Sequence, residues 1–464
     1  MPAMKRKRRA RGSKSNAPCR RGRGGHDPDL ISDLPDDLRR SILSLLPVKD
    51  SARTSLLSTR WRHLWTTASL NLDTSVLHRS SRFTESCTRS QQEAWRARAI
   101  DRILSVHRGL IPTCHLSGYF FDLPNVDTWL EILTQRGIQD LSFFCDYPRR
   151  LSDDQRFFPV PSSLLTCETL VTLKLMNCEL SQLPPSPPVF VNLRNLFMQS
   201  TALSDGTFRD LLSNCRSLQH LALICCAGLW SLRVRSPGLR SLVLKSSNES
   251  MEELIIEDAP NLMRLVLGDD ALEYLRVEIL GAPKLEMFGY VCTLMKSLRM
   301  GGTRFEMSRL NRTVGSLSTR VHSLKRLAIS VLFDDDGEIK VVNDLLRCFP
   351  CLEKLNVQIC YFDDTNYGDS RHWERQESVD CLDRHLKSFT MAGFEGQRFA
   401  VDFAKYIMAR GRVLKEMTLL CSSTKWKREW IEDIQQQLSL QNTASKDVQV
   451  VLVKGYHLID EFST

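Results

Sequence analysis

One leucine spacing recurs through the middle of this chain, and it restricts the possible folds more than any other feature. A Leu-x-x-Leu-x-Leu template begins at Leu170, Leu193, Leu218, Leu239, Leu262, Leu285, Leu324 and Leu352, with other apolar or aromatic residues replacing later leucines at Leu193, Leu285, Leu324 and Leu352, and the first five intervals are 23, 25, 21, 23 and 23 residues. Leucines at alternate positions share one side of a short strand. A single strand cannot hide them, but coils stacked at a constant period cover one another's leucines and build a continuous core. The spacing therefore predicts a solenoid, placed over residues 111–365.

The segments Leu170 through Cys178 and Leu218 through Cys226 add a cysteine at the coil corner. With it the template matches the leucine-rich repeat pattern. Weaker copies lie about half a repeat out of phase: Leu229-x-x-Leu-x-Val234, Met251-x-x-Leu-x-Ile256 and Leu272-x-x-Leu-x-Val277. Their β-branched residues favour strand. Ser236-Pro237, Ala259-Pro260 and Ala282-Pro283 each mark a corner before a main strand. Coils from 218 to 300 are thus expected to carry strands on both faces, with helices returning later, as before Phe349-Pro350. The alternate positions of the main strands should face the concave side. There Met176, Phe197, Ile224, Val243 and Val266 form an apolar stripe, which is either a target-binding surface or a seat for the C-terminal domain or a loop.

Before the solenoid, residues 27–75 read as three short helices. Pro35 suits a first helical position, and Asp36 and Asp37 suit the positive end of the helix dipole. Leu38, Ile42 and Leu45 share a face, and Leu43 and Leu46 widen it. Pro47 ends the first helix. Asp50 can cap a second, and Ser58 a third that carries Trp61, Leu64 and Trp65. About 45 residues bury little on their own, so a partner is implied. The run from Leu34-Pro-Asp-Asp-Leu to Asp50, followed by Arg53 through Trp65, resembles the F-box from end to end. The resemblance implies binding to the Skp-type adaptor of a cullin–RING ubiquitin ligase. Leu34, Pro35, Ile42, Leu46 and Pro47 would face the adaptor, with Leu56 and Trp61 in support. Leu38, Leu45 and Leu64 are expected in the unit's own core. Residues 76–110 read as a helical linker.

After the solenoid, residues 375–464 run strand, helix, strand, helix, strand. The order is Cys381 to Phe394 (strand and turn), Glu395 to Ala409 (helix), Leu414 to Leu420, Trp430 to Leu438 (helix) and Val448 to Val453. The Gly-Phe-x-Gly turn and the Arg-Val-Leu-Lys-Glu-Met strand resemble the FBD domain that follows leucine-rich repeats in plant F-box proteins. A terminal cap suits a solenoid whose last coil is otherwise open. The fold class is then α/β: a three-helix F-box, a leucine-rich repeat solenoid that is strand-rich on both faces in its middle coils, and a small α/β C-terminal cap.

Composition fits folding over most of the 464 residues, 42% hydrophobic and 25% charged. The formal net charge of +9 is local. Residues 1–26 hold ten Lys or Arg and no acid, which leaves −1 for the rest of the chain. Such a block reads as a disordered tail. Lys5, Arg6, Lys7, Arg8 and Arg9 have the density of a nuclear-import signal, so nuclear localisation is expected over cytoplasmic. The tail has no aromatics to stack bases, and specific nucleic-acid reading is not expected. Fifteen scattered cysteines suggest a reducing compartment. No apolar run approaches a membrane span.

Catalytic and metal motifs are weak. Cys348-x-x-Cys351 with Cys381 and His385 has partial zinc spacing, but the pair is explained by a repeat corner. The acidic run Asp334 to Glu338 fails the calcium-loop register and reads as an exposed turn. No G-x-x-x-x-G-K-S/T, G-x-S-x-G or H-E-x-x-H is present. No catalysis, metal or cofactor is expected. The resemblance implies the substrate-recognition subunit of an SCF-type ligase. The alternatives are a nuclear F-box scaffold outside any ligase, and a small-molecule-gated receptor of the same architecture. The sequence does not name the target.

Overall fold

The computed structural model describes residues 31, 33–78, 89–120, 123–146, 157–181, 183, 189–245, 251–268, 274–308, 313–315, 317–332, 336–360, 379–421, 426–438 and 443–455. Lys5, Arg6, Lys7, Arg8 and Arg9 lie outside the described residues.

The repeated leucines build one sheet. Fourteen strands pair in sequence order, each parallel to the next: Asn71–Asp73, Thr113–Gly118, Asp140–Cys145, Thr172–Met176, Asn195–Gln199, His220–Ile224, Ser241–Lys245, Arg264–Leu267, Met287–Cys292, Arg326–Val331, Lys354–Ile359, Ser388–Ala392, Glu416–Cys421 and Gln449–Lys454. Equivalent positions align in rows, as in Thr172, Asn195, His220, Ser241 and Arg264. This register sends Leu173, Leu196, Leu221, Leu242 and Leu265 inward together, and all are buried. The corner after the strand is left-handed at Asn177, Ser200 and Cys225, with φ of 58°, 47° and 51°. Asn177 secures its corner by donating from Nδ2 to the Cys145 carbonyl at 2.6 Å. The thiol of Cys178 lies 3.3 Å from the Met176 carbonyl that it caps.

The half-phase copies form the expected second sheet. Ser231–Arg235, Glu253–Asp258, Arg276–Ile279 and Ser297–Met300 pair in parallel, and Thr303–Glu306 and Thr313–Val314 close the edge antiparallel. Leu232, Leu254, Val277 and Leu298 point into the core. The outer positions alternate in charge. Arg233 pairs with Glu253 and Glu257, Arg276 with Glu253, and Arg299 with Glu278. A convex helix, Asp336–Arg347, returns before Phe349.

Three helices precede the sheet: α1 (Asp36–Leu45), α2 (Val48–Thr54) and α3 (Thr59–Thr67). The Ser58 hydroxyl caps α3 by accepting from the Trp61 amide at 3.3 Å. Asp50 is not a cap. Pro47 caps the helix three residues earlier, so α2 starts at Val48 and Asp50, in its first turn, pairs with Arg53 at 2.9 Å. The chain then passes from α3 directly into the edge strand Asn71–Asp73. The helix Arg89–Val106, within the expected linker, sends Ile100 and Leu104 into the same core.

This junction is stitched by backbone. The Leu70 amide donates to the Leu110 carbonyl at 2.9 Å, and the Arg108 amide donates to Thr66 at 2.7 Å. Between them His107 is buried, its Nε2 3.0 Å from the Ala68 carbonyl and its ring edge-on to Trp65 at 5.7 Å. Nδ1 is buried without a partner, as suits a neutral imidazole. Burial holds its pKa down to about 4; the Ala68 hydrogen bond opposes this, and the Arg136 cation adds to it. Unfolding returns the group to 6.5. Between these values the unfolded chain binds the extra proton, so the stability from this site is present above pH 6.5 and is lost as pH falls toward 4. We expect a loss of about 3 kcal/mol across that window. Denaturant titrations of wild type and His107→Gln at pH 7 and pH 4.5 check it. Equal acid sensitivity in both would refute the assignment.

At the other end the C-terminal unit is α/β and its strands extend the solenoid's own sheet. Ser388–Ala392 pairs with Lys354–Ile359, and Glu416–Cys421 and Gln449–Lys454 follow. Helices Arg398–Arg410 and Arg428–Leu438 lie between. Cys381 lies in the one-turn helix Asp380–Arg384 rather than in a strand, because the strand begins only where alternation of buried residues starts, at Ser388. The Tyr406 hydroxyl donates to Asn343 Oδ1 at 3.1 Å and ties this unit to the preceding helix. No described helix is long and apolar enough to cross a membrane.

Candidate functional site

Two surfaces stand out. The first is on the three-helix unit. Its core is a small cluster of Leu43, Trp61, Leu64, Trp65 and Ala68, with Leu46 and Ala52 packed against it. Arg39 takes the next inward position of α1. Its guanidinium lies 5.5 Å from the centre of the Trp61 ring and 3.8 Å from Asp36, and Nε donates to the Ile31 carbonyl at 3.3 Å. With Arg39 and Leu43 turned inward, the opposite face of α1 turns out.

That face reassigns several residues. Leu38 is 52% exposed and Leu45 84%, so neither belongs to the unit's core as expected. Only Leu64 of that trio is buried. Trp61, expected to support the adaptor contact, is buried at the centre of the cluster, because the Ser58 cap sets α3 with this side chain against α1. Leu34 is half-exposed, Pro35, Ile42 and Pro47 are exposed, and Leu46 is half-buried against the cluster. Leu56 is 81% exposed, and Leu57 and Ile31 are also exposed, which the sequence reading passed over. Burial of each large apolar side chain is worth about 2 kcal/mol, and these side chains forgo it in the free chain.

The second surface is the concave side of the large sheet. A groove of about 450 Å³ is floored by Phe197, Ala222, Ile224 and Val243, and Lys174, His220 and Arg264 line it. Met176, Phe197 and Ile224 are half-exposed. Val243 and Val266 do not continue the open stripe. They are buried in a separate cluster with Met287, Tyr290, Ala328, Ala392 and Leu420. Concave side chains of the later coils cover one another there, the internal contact that one sequence reading allowed.

The weaker chemical candidates are placed as follows. Burial pushes the Cys348 and Cys381 thiols up to about 12, and Cys381 contacts the Leu346 carbonyl at 3.7 Å. Cys351 lies 3.7 Å from Nδ1 of His322, and His385 does not join them in a cluster. Glu338 is not part of an exposed turn. It is fully buried and accepts from the Thr293 hydroxyl and, at 2.8 Å, from the Leu332 amide. Among the described residues no group of three or more His, Cys, Asp or Glu could hold a metal ion.

Comparison with known proteins covers both surfaces. An F-box domain profile matches residues 31–73. The family described as "FBD-associated F-box protein At5g56370, LRR repeats" matches residues 126–357, and an FBD profile matches 375–419. The Arabidopsis thaliana F-box/FBD/LRR-repeat protein At1g13570 is 27% identical over 420 residues, covering 86% of this chain and 92% of that one. FBD-associated F-box protein At5g38590, from the same plant, is 28% identical over 428 residues, 88% of this chain and 98% of its own length. F-box/FBD/LRR-repeat protein At5g56420, also from Arabidopsis thaliana, is 33% identical over 257 residues, 52% of this chain and 55% of that one.

Proposed function

Because the chain belongs to the plant F-box proteins that carry leucine-rich repeats and an FBD domain, we propose that it is the substrate-recognition subunit of an SCF-type ubiquitin ligase. The three-helix unit binds a Skp-type adaptor, and through it a cullin–RING assembly. The solenoid holds a target protein. The chain itself does no chemistry. It raises the concentration of target lysines near a ubiquitin-charged enzyme held elsewhere in the complex.

The observation that carries this reading is the exposure of Leu38, Ile42 and Leu45 on α1 and of Leu56 and Leu57 after α2, on a unit whose own core is already filled. The nuclear localisation expected from the tail rests on Lys5 to Arg9 alone and stays outside this reading.

Affinity of the full chain for a purified Skp-type adaptor tests it. Leu38→Glu with Leu45→Glu should leave the thermal melt unchanged, because both side chains are in water. It should lower adaptor affinity at least about 100-fold, as expected for charges placed in the centre of an apolar interface. No binding by well-folded wild type would sink the ligase reading, and undiminished binding by the variant would remove this face from it.

A further inference from the structure

Charge on the two sides of the solenoid is arranged differently. On the convex sheet Arg and Glu alternate and pair. On the concave side, eight consecutive strands of the large sheet, from Thr172–Met176 to Lys354–Ile359, contain no Asp or Glu. The same strands carry Lys174, Lys245, Arg264, Arg326 and Lys354, with His220 among them. In each, the alternate leucines are buried, so the Lys174, His220, Arg264, Arg326 and Lys354 positions lie on the face opposite the core.

Neighbouring groups register the resulting field. The pKa of His220 is lowered by burial and then by the cations of Arg240 and Arg264. That of Arg264 is lowered by burial and by Arg326. Glu286 pairs with Lys325 at 3.4 Å, and Glu353 with Lys387 at 2.7 Å. Asp140 is exposed on the strand before Lys174.

We propose that the concave groove between Lys174 and Arg264 takes an acidic peptide segment of the target, with one large apolar side chain seated on Phe197, Ala222 and Ile224. The proposal rests on the ligase reading above and specifies the target's chemistry. Three features favour an extended acidic peptide. The groove from Lys174 to Arg264 crosses five strands, about 19 Å at sheet spacing, which is long for one small molecule, and cationic positions continue beyond it to Lys354. The floor is aliphatic apart from Phe197, which gives a nucleic acid little to stack on. A peptide also supplies an apolar side chain between carboxylates, the pattern that the groove presents in reverse.

A random dodecapeptide library displayed on phage and selected against the purified full-length protein tests this. Enriched peptides should carry net negative charge and one aromatic or large aliphatic residue. A synthetic winner, labelled with fluorescein, should lose affinity at least about tenfold with Lys174→Glu, as expected for reversing an exposed charge at an interface. Phe197→Ala should lower it by a similar factor. Lys174 is exposed, so its variant tests the groove without disturbing the core. Enrichment of neutral or cationic peptides, no enrichment, or a winner indifferent to Lys174→Glu would overturn the proposal. So would equal displacement by a twenty-residue oligodeoxythymidine. Adaptor binding is measured on the same preparations. Adaptor binding without peptide selection removes the groove proposal and leaves the ligase reading, and the reverse result does the opposite.

Discussion

Gly109→Ala is expected to open the seam between the three helices and the solenoid. A Cβ at Gly109 would lie 2.2 Å from the Ala68 carbonyl oxygen and 2.7 Å from that of Thr67. Both are backbone atoms, and neither can swing aside as a side-chain tip can. Relief requires the segment 107–110 to move away from 66–70. That move breaks the hydrogen bonds from Arg108 and Gly109 to Thr66 and from Leu70 to Leu110. It also draws His107 off Ala68. The added methyl should cost about 3 kcal/mol or more, at the upper end for overpacking, since the obstacle is rigid. Limited proteolysis should then cut near 107–110 and release the N-terminal unit, while wild type resists. Gly455→Ala is the control, because no atom lies within 4 Å of its Cβ position. Equal resistance in all three proteins would refute the steric account.

A chain stopped at residue 374 is expected to be insoluble. The C-terminal strands are the next coils of the same sheet, and their removal leaves the Lys354–Ile359 strand as an open edge. It also uncovers Leu355 and Val357, which are fully buried and register with Phe389 and Met391 of the lost strand. At about 2 kcal/mol per large apolar side chain, exposing these two costs about 4 kcal/mol. The Tyr406 bond to Asn343 and the Cys381 contact to Leu346 go with it. An unpaired parallel strand over an exposed core is a template for aggregation. Soluble yield and a thermal melt against the full chain check this. A soluble truncated chain melting within a few degrees of wild type would show that the last coils are dispensable.

The strongest sequence signals were those with a period. The leucine template located the large sheet, and the half-phase copies located the second one, because alternation along a strand and stacking between coils are both local rules. What period cannot give is the identity of the partner that covers an apolar face. Leu38, Ile42 and Leu45 were rightly read as one face of α1, yet that face looks to solvent. A charged residue, Arg39, holds the inward position by lying over Trp61 and reaching the Ile31 carbonyl. A guanidinium does not read as a core residue in a hydrophobicity pattern. The same blindness affected Val243 and Val266. Their alternation gave the correct side of the sheet, but their burial comes from Tyr290, Ala392 and Leu420, up to 177 residues away in the chain. The groove needed the rows in register before its charge could be seen, since Lys174, His220 and Arg264 share no local motif.

The seam at Gly109 and the unbroken sheet make the molecule a ruler. Four strand spacings separate Asn71–Asp73 from the strand of Phe197, and seven separate it from that of Arg264. At about 4.8 Å each, these are arcs of roughly 19 and 34 Å with no hinge between them. On the proposed reading, a bound target would be carried at a fixed offset from the adaptor. The offset could change only in whole coils, each adding one step of translation and a small turn. Which lysine meets the ubiquitin-charged enzyme would then depend on the number of coils before the groove as much as on the groove itself.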